Sequence, residues 1–80
     1  MKLLVKVRDV KFWTNVEDEA SILDLKFAIE KNYSSLNLSA PPLRVNLVMD
    51  RESILLPESC TVREVLRDGD LVGKIALKLG

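Results

Sequence analysis

Eighty residues, 48% hydrophobic and 30% charged, make one small domain near the lower limit at which a single core supports itself. Twelve Lys and Arg balance twelve Asp and Glu, so the basic excess of a nucleic-acid binder is missing, and zero net charge leaves little repulsion between copies. With no His, and Cys60 as the only cysteine, the chain lacks the commonest general base and can form neither a cysteine metal cluster nor an intramolecular disulfide.

The first segment, "KLLVKVR", alternates. Leu3, Val5 and Val7 fall on one face, and Lys2, Leu4, Lys6 and Arg8 on the other, which is the period of a half-buried strand. "KFWTNV" repeats the pattern, with Phe12, Thr14 and Val16 inward and Lys11, Trp13 and Asn15 outward. The connecting Asp9-Val10 is short enough for a hairpin, with Asp9 in the turn. No apolar run approaches the ~20 residues of a membrane span, and "MKLLVKV" alternates where a signal peptide needs a continuous apolar stretch. A reducing intracellular compartment is the expectation.

"SILDLKFAIEKNY" changes to the helical period. Ser21 and Asp24 form a capping box, and Ile22, Leu25, Ala28, Ile29 and Tyr33 share one face, with Leu23 and Phe27 as a second stripe beside it. The helix is predicted from about Ile22 to Tyr33, and Pro41-Pro42 then stiffen the approach to the next strand. "LRVNLVMD" places Val45, Leu47 and Met49 together, opposite Arg44, Asn46 and Val48. Ile54–Leu56 reads as a very short strand stopped by Pro57. Thr61 and Glu64 make a second capping box over a single helical turn. In "RDGD", Gly69 supplies the positive φ of a tight turn. The last strand alternates Leu71, Gly73, Ile75, Leu77 and Leu79 against Val72, Lys74, Ala76 and Lys78.

This order, with a right-handed crossover bringing the last strand beside the first, predicts an α+β fold of the β-grasp type. A mixed four- to five-stranded sheet wraps one long helix, with a one-turn helix added. The predicted core is Leu3, Val5, Val16, Ile22, Leu25, Ile29, Val45, Leu47, Leu56, Ile75 and Leu77.

Over nearly its whole length the chain resembles the ubiquitin-like family, through "MKLLVKV", "VEDEASILDLKFAIEK", "RVNLVMD" and "TVREVLRDGDLVGKIALKL". Ser21-Ile22 resembles that family's Thr-Ile at the helix start, and "TVREVLRDGDLV" resembles its "TLxDYNIxxxSTL" turn and last strand. Over about a third of the chain, residues 43–72 also resemble the coilin amino-terminal domain family. Leu55, Leu56, Pro57, Glu58, Ser59, Arg67, Asp68, Asp70 and Leu71 match its pattern, with Gly69 in place of an Asn. The family's second proline is missing and the first hairpin is tighter. That likeness implies a self-associating, amino-terminal module of a larger nuclear-body scaffold. In ubiquitin the surface corresponding to Arg44 and Asn46 carries an apolar patch, which Asn46 interrupts here, so ubiquitin-type receptors are not expected to bind in the usual way.

Trp13 is the leading candidate for a partner-binding residue, with Leu4, Lys11 and Asn15 around it. On the outer face of an edge strand it anchors an interface, or else it lies over Leu4 and aliphatic lysine stems in a structural role. Cys60 stands before a capped turn without a catalytic partner and reads as a free thiol. Asp68 and Asp70 are turn-formers, too few for a calcium loop. No catalytic constellation, cofactor, metal or small-molecule substrate is expected, and no nucleic acid or membrane partner. The expected partner is a second copy, or another protein whose strand docks at the second strand. A ubiquitin-like modifier needs a Gly-Gly tail, whereas this sequence ends Leu79-Gly80 and has the look of a domain cut from a longer protein.

Overall fold

A computed structural model describes residues 1–36 and 43–78. The expectations placed on Pro41-Pro42, Leu79 and Gly80 lie outside the described residues. The chain runs β1 (Lys2–Val7), β2 (Val10–Asn15), α1 (Ile22–Ser35), β3 (Val45–Met49), α2 (Val62–Val65), β4 (Leu71–Val72) and β5 (Lys74–Leu77). It is an α+β fold, a mixed sheet with one helix packed on it.

β1 and β2 form an antiparallel hairpin in the alternation read from the sequence, with Leu3, Val5, Val7, Phe12 and Thr14 buried. The turn sits one residue earlier than the sequence suggests. Val10 already pairs with Val7, and the two-residue loop is Arg8-Asp9. Arg8 takes the positive φ (55°) that a Gly would favour. Its guanidinium donates to the Tyr33 hydroxyl at 3.1 Å and lies 5.7 Å from that ring's centroid, which ties the turn to the end of α1.

Ser21 caps α1 as its spacing predicts. Its Oγ accepts from Asp24 N at 3.1 Å, and the Asp24 carboxylate accepts from Ser21 N at 3.2 Å. At α2, the Glu64 carboxylate accepts from the Thr61 hydroxyl (2.8 Å) and reaches back to its N–H (3.4 Å). The two helix starts lie side by side. Ile22 N donates to Cys60 O, and Val62 N to Ala20 O. Ile22, Leu25, Ile29 and Tyr33 turn into the core as the period requires, and each fully buried Leu or Ile contributes about 1.5–3 kcal/mol. Leu23 and Phe27 remain exposed.

The second half of the sheet departs from strict alternation at two places. β3 and β5 pair antiparallel, but the register shifts between Val45 and Leu47, so that Asn46 is an extra residue. Val45 and Val48 are therefore buried, whereas Leu47 and Met49, predicted inward, are only half-buried. Val48, outward by strict alternation, is turned in by the bulge. The second departure is Gly73. The predicted single last strand breaks there into β4, parallel to β1, and β5, antiparallel to β3. Val72 enters the core opposite Val5. Ile75 and Leu77 are half-buried against the core, as is Val16. The short strand predicted at 54–56 is reduced to a bridge from Leu55 to Met49.

"RDGD" closes the fold. Gly69 has φ +86° as expected, and its N–H donates to Lys2 O at 2.7 Å. Asp68 Oδ1 accepts from Lys2 N at 2.7 Å, and Asp70 O accepts from Leu4 N at 2.9 Å. The Asp70 carboxylate accepts from Arg67 N, which closes the turn on itself. These two carboxylates are thus engaged with the backbone. The turn aligns β4 with the inner edge of β1.

Candidate interaction surface

Ladder geometry decides which backbone groups of β2 are free. Met1 and Val16 exchange two hydrogen bonds, at 2.7 and 2.9 Å. In an antiparallel ladder bonded and non-bonded pairs alternate. Leu3/Thr14, Val5/Phe12 and Val7/Val10 are therefore the bonded pairs, and Lys2/Asn15, Leu4/Trp13 and Lys6/Lys11 the non-bonded ones. On β1 the groups of the second set turn toward the last strand, where Lys2 and Leu4 find Asp68, Gly69 and Asp70. On β2 the N–H and C=O of Lys11, Trp13 and Asn15 point away from the sheet. Among the described residues no hydrogen bond from another element reaches them. β2 is an open edge.

All four predicted site residues meet at this edge. Trp13 is 51% exposed on the outer face, directly across from half-buried Leu4 in a non-bonded pair, the spacing at which side chains approach most closely. Lys11 and Asn15 flank Trp13 on the same face. The Lys2 ammonium lies 5.0 Å from the Trp13 ring centroid, a cation–π contact. The indole thus rests on Leu4 and Lys2, and half of it still faces outward.

Three further residues complete the surface. Leu71 of β4 lies beside Leu4, so Trp13, Leu4 and Leu71 form a row across three strands. Lys2 and Lys6 stand on either side of that row with Lys11, and no acid occupies an outward position of β1, β2 or β4. Lys2 and Lys6 were legible from the alternation of β1. Leu71 was not, because the β1/β4 register is a long-range pairing.

A cleft of about 130 Å³ lies between α1 and β3, flanked by Leu23 and Phe27 but lined mostly by charged and polar side chains. Lys26 crosses it, 6% exposed, donating from Nζ to Asn46 O at 2.6 Å and approaching Glu58 at 3.4 Å. One turn on, the Glu30 carboxylate accepts from Val45 N at 2.8 Å. These two helix side chains, together with Leu56 N bonded to Val48 O, occupy the edge of β3, so among the described residues β2 is the strand edge left open.

Comparison with protein-family models, with curated proteins and with solved structures returned no match. No helix among the described residues is long and apolar enough to cross a membrane.

Proposed function

We propose that the chain is a non-catalytic protein-interaction domain that associates with copies of itself, as a module of a larger scaffold protein. The observation that carries this is the open β2 edge with a half-exposed Trp13 beside it. Unpaired strand edges are templates for another strand, and large aromatic residues dominate interface energies. Natural edges are usually guarded by charges, prolines or bulges. This one carries a single Lys, and neither a proline nor a register shift interrupts β2.

A β-grasp of the ubiquitin-like kind is the architecture we assign. Two ladders support it, β2-β1-β4 with the parallel β1/β4 pair and β3-β5, joined because β4 and β5 are the two halves of the last strand broken at Gly73, with α1 packed against β2 and β3. The likeness to the coilin amino-terminal domain rests on residues 55–59 and 67–71, and on that basis we place the protein within a nuclear-body scaffold. Those residues form a bridge, a turn and the clasp on β1, so the shared pattern has a structural reason in addition to any functional one.

A second reading is docking of a different protein's strand at the same edge. The lysines around the Trp13 row favour an acidic partner. Sedimentation over a concentration series, with Trp13→Ala at matched concentrations, tests self-association. Wild type is expected to shift toward larger species as concentration rises, and Trp13→Ala to do so less, with an unchanged thermal melt. A wild type that stays monomeric throughout removes self-association and leaves docking.

A further inference from the structure

We infer that two copies of this chain join β2 to β2 antiparallel, about a two-fold axis at Trp13, with Lys11 of each copy opposite Asn15 of the other. The inference rests on the self-association reading above and specifies its geometry.

The open groups belong to residues 11, 13 and 15, evenly spaced about the middle one. Antiparallel hydrogen-bonded pairs form only between residues whose N–H and C=O both face the neighbouring strand. Laid against its own copy, β2 has one register in which all three open residues meet open residues: 11 with 15, 13 with 13 and 15 with 11. Each pair exchanges two bonds. A slip of one residue sets open groups against groups already bonded to β1. A slip of two sends one residue of each strand past the end of β2, opposite Asp9 or Glu17.

The side chains fit the same register, and they disfavour parallel pairing. Lys11 comes to lie beside the uncharged Asn15 of the second copy, while the two Trp13 rings become neighbours. In-register parallel pairing would instead set Lys11 beside Lys11, and like charges directly across a sheet are destabilising. On the inner side Phe12 faces Thr14 of the second copy, both already oriented to the core.

The arrangement is closed, because a two-fold contact uses the same patch on both copies. It extends the outer face into one row, Leu71–Leu4–Trp13 continued by Trp13–Leu4–Leu71 of the second copy, with lysines along both sides. This edge therefore yields a dimer rather than a filament.

Cross-linking tests the register. In a Cys60→Ser background, Lys11→Cys protein is mixed with Asn15→Cys protein under mild oxidation. A bonded antiparallel pair holds its Cα atoms ~5.5 Å apart, within disulfide range. Two Lys11 positions would lie four residues out of step, ~14 Å along the strand and beyond reach. The mixture is expected to form a disulfide-linked heterodimer, Trp13→Cys to cross-link with itself, and Lys11→Cys or Asn15→Cys alone to stay monomeric on the gel. Asn15→Pro supplies a second measurement. It removes an N–H that β1 does not use, so the melt is retained while the association constant falls about tenfold or more. Cross-linking of Lys11→Cys alone, or a mixture no faster than its components, in a protein that still associates by sedimentation, overturns this register and leaves self-association intact. An Asn15→Pro variant that melts normally and associates like wild type does the same. A wild type monomeric at every concentration overturns both.

Discussion

Replacing Gly73 by alanine should cost this domain a large part of its stability, for a reason opposite to that at Gly69. A Cβ at Gly73 would lie 2.9 Å from Arg51 Cα and 2.9 Å from Asp50 O. Both are backbone atoms of the turn after β3, so no side chain can swing aside. That turn is itself fixed: Asp50 Oδ1 accepts from Glu52 N and Ile54 N, and Ser53 holds a positive φ of 65°. The strain of overpacking is ~1–3 kcal/mol. Displacing the strand also weakens the 3.1 Å bond from Gly73 N to Met49 O, for ~1 kcal/mol more. The loss of chain entropy in the unfolded state gives back ~0.4–1 kcal/mol. The net loss is about 2 kcal/mol, which in a domain this size lowers Tm by roughly 10 °C. At Gly69 a Cβ meets nothing within 4 Å, and the cost comes only from φ +86°. Asn tolerates a left-handed backbone and Val does not, so Gly69→Asn should be mild and Gly69→Val severe. At Gly73, Asn should be at least as harmful as Ala. Far-ultraviolet circular dichroism melts of the four variants check this. A Gly73→Ala protein that melts with the wild type would refute the close approach of the last strand to the β3 turn.

Three further outcomes are expected. Val48→Ala should lower the urea midpoint more than Leu47→Ala, although Leu is the larger side chain, because the bulge at Asn46 buries Val48 completely; equal or reversed shifts would place the bulge elsewhere. Asp68→Ala should cost ~0.5–1.5 kcal/mol by exchanging the Lys2 N–H bond to the carboxylate for one to water, while Asp68→Asn, which keeps an oxygen there, should cost clearly less in thermal melts. Lys26→Ala should cost ~2 kcal/mol through the lost bond to Asn46 O and the emptied stem, whereas Glu58→Ala should stay under ~1 kcal/mol because Glu58 is exposed and its side of the pair is solvated; denaturant titration of both checks the asymmetry.

Features governed by near neighbours in the chain were legible without coordinates. The Ser21/Asp24 box starts α1, the helical period buries Ile22, Leu25, Ile29 and Tyr33, and alternation in the hairpin puts Trp13 outward with Lys11 and Asn15. Gly69 belongs to the same class, since a turn's φ is a local demand. Lys26 lies between the two classes: it stands four residues after Ile22 on the buried face, so its position was readable, but its acceptor on Asn46 was not. What only the tertiary structure decided involves distant segments. The bulge that inverts β3 follows from pairing with β5, the break at Gly73 from its close approach to the distant turn at Asp50 and Arg51, and the place of Leu71 beside Leu4 from the clasp of Asp68 and Gly69 on Lys2. Even the hairpin turn moved by one residue, because Arg8 could hold a positive φ once Tyr33 of α1 received its guanidinium. Spacing along the chain encodes local period and backbone preference. Which strand lies beside which, and in what register, depends on contacts that close long loops and leave no periodic trace.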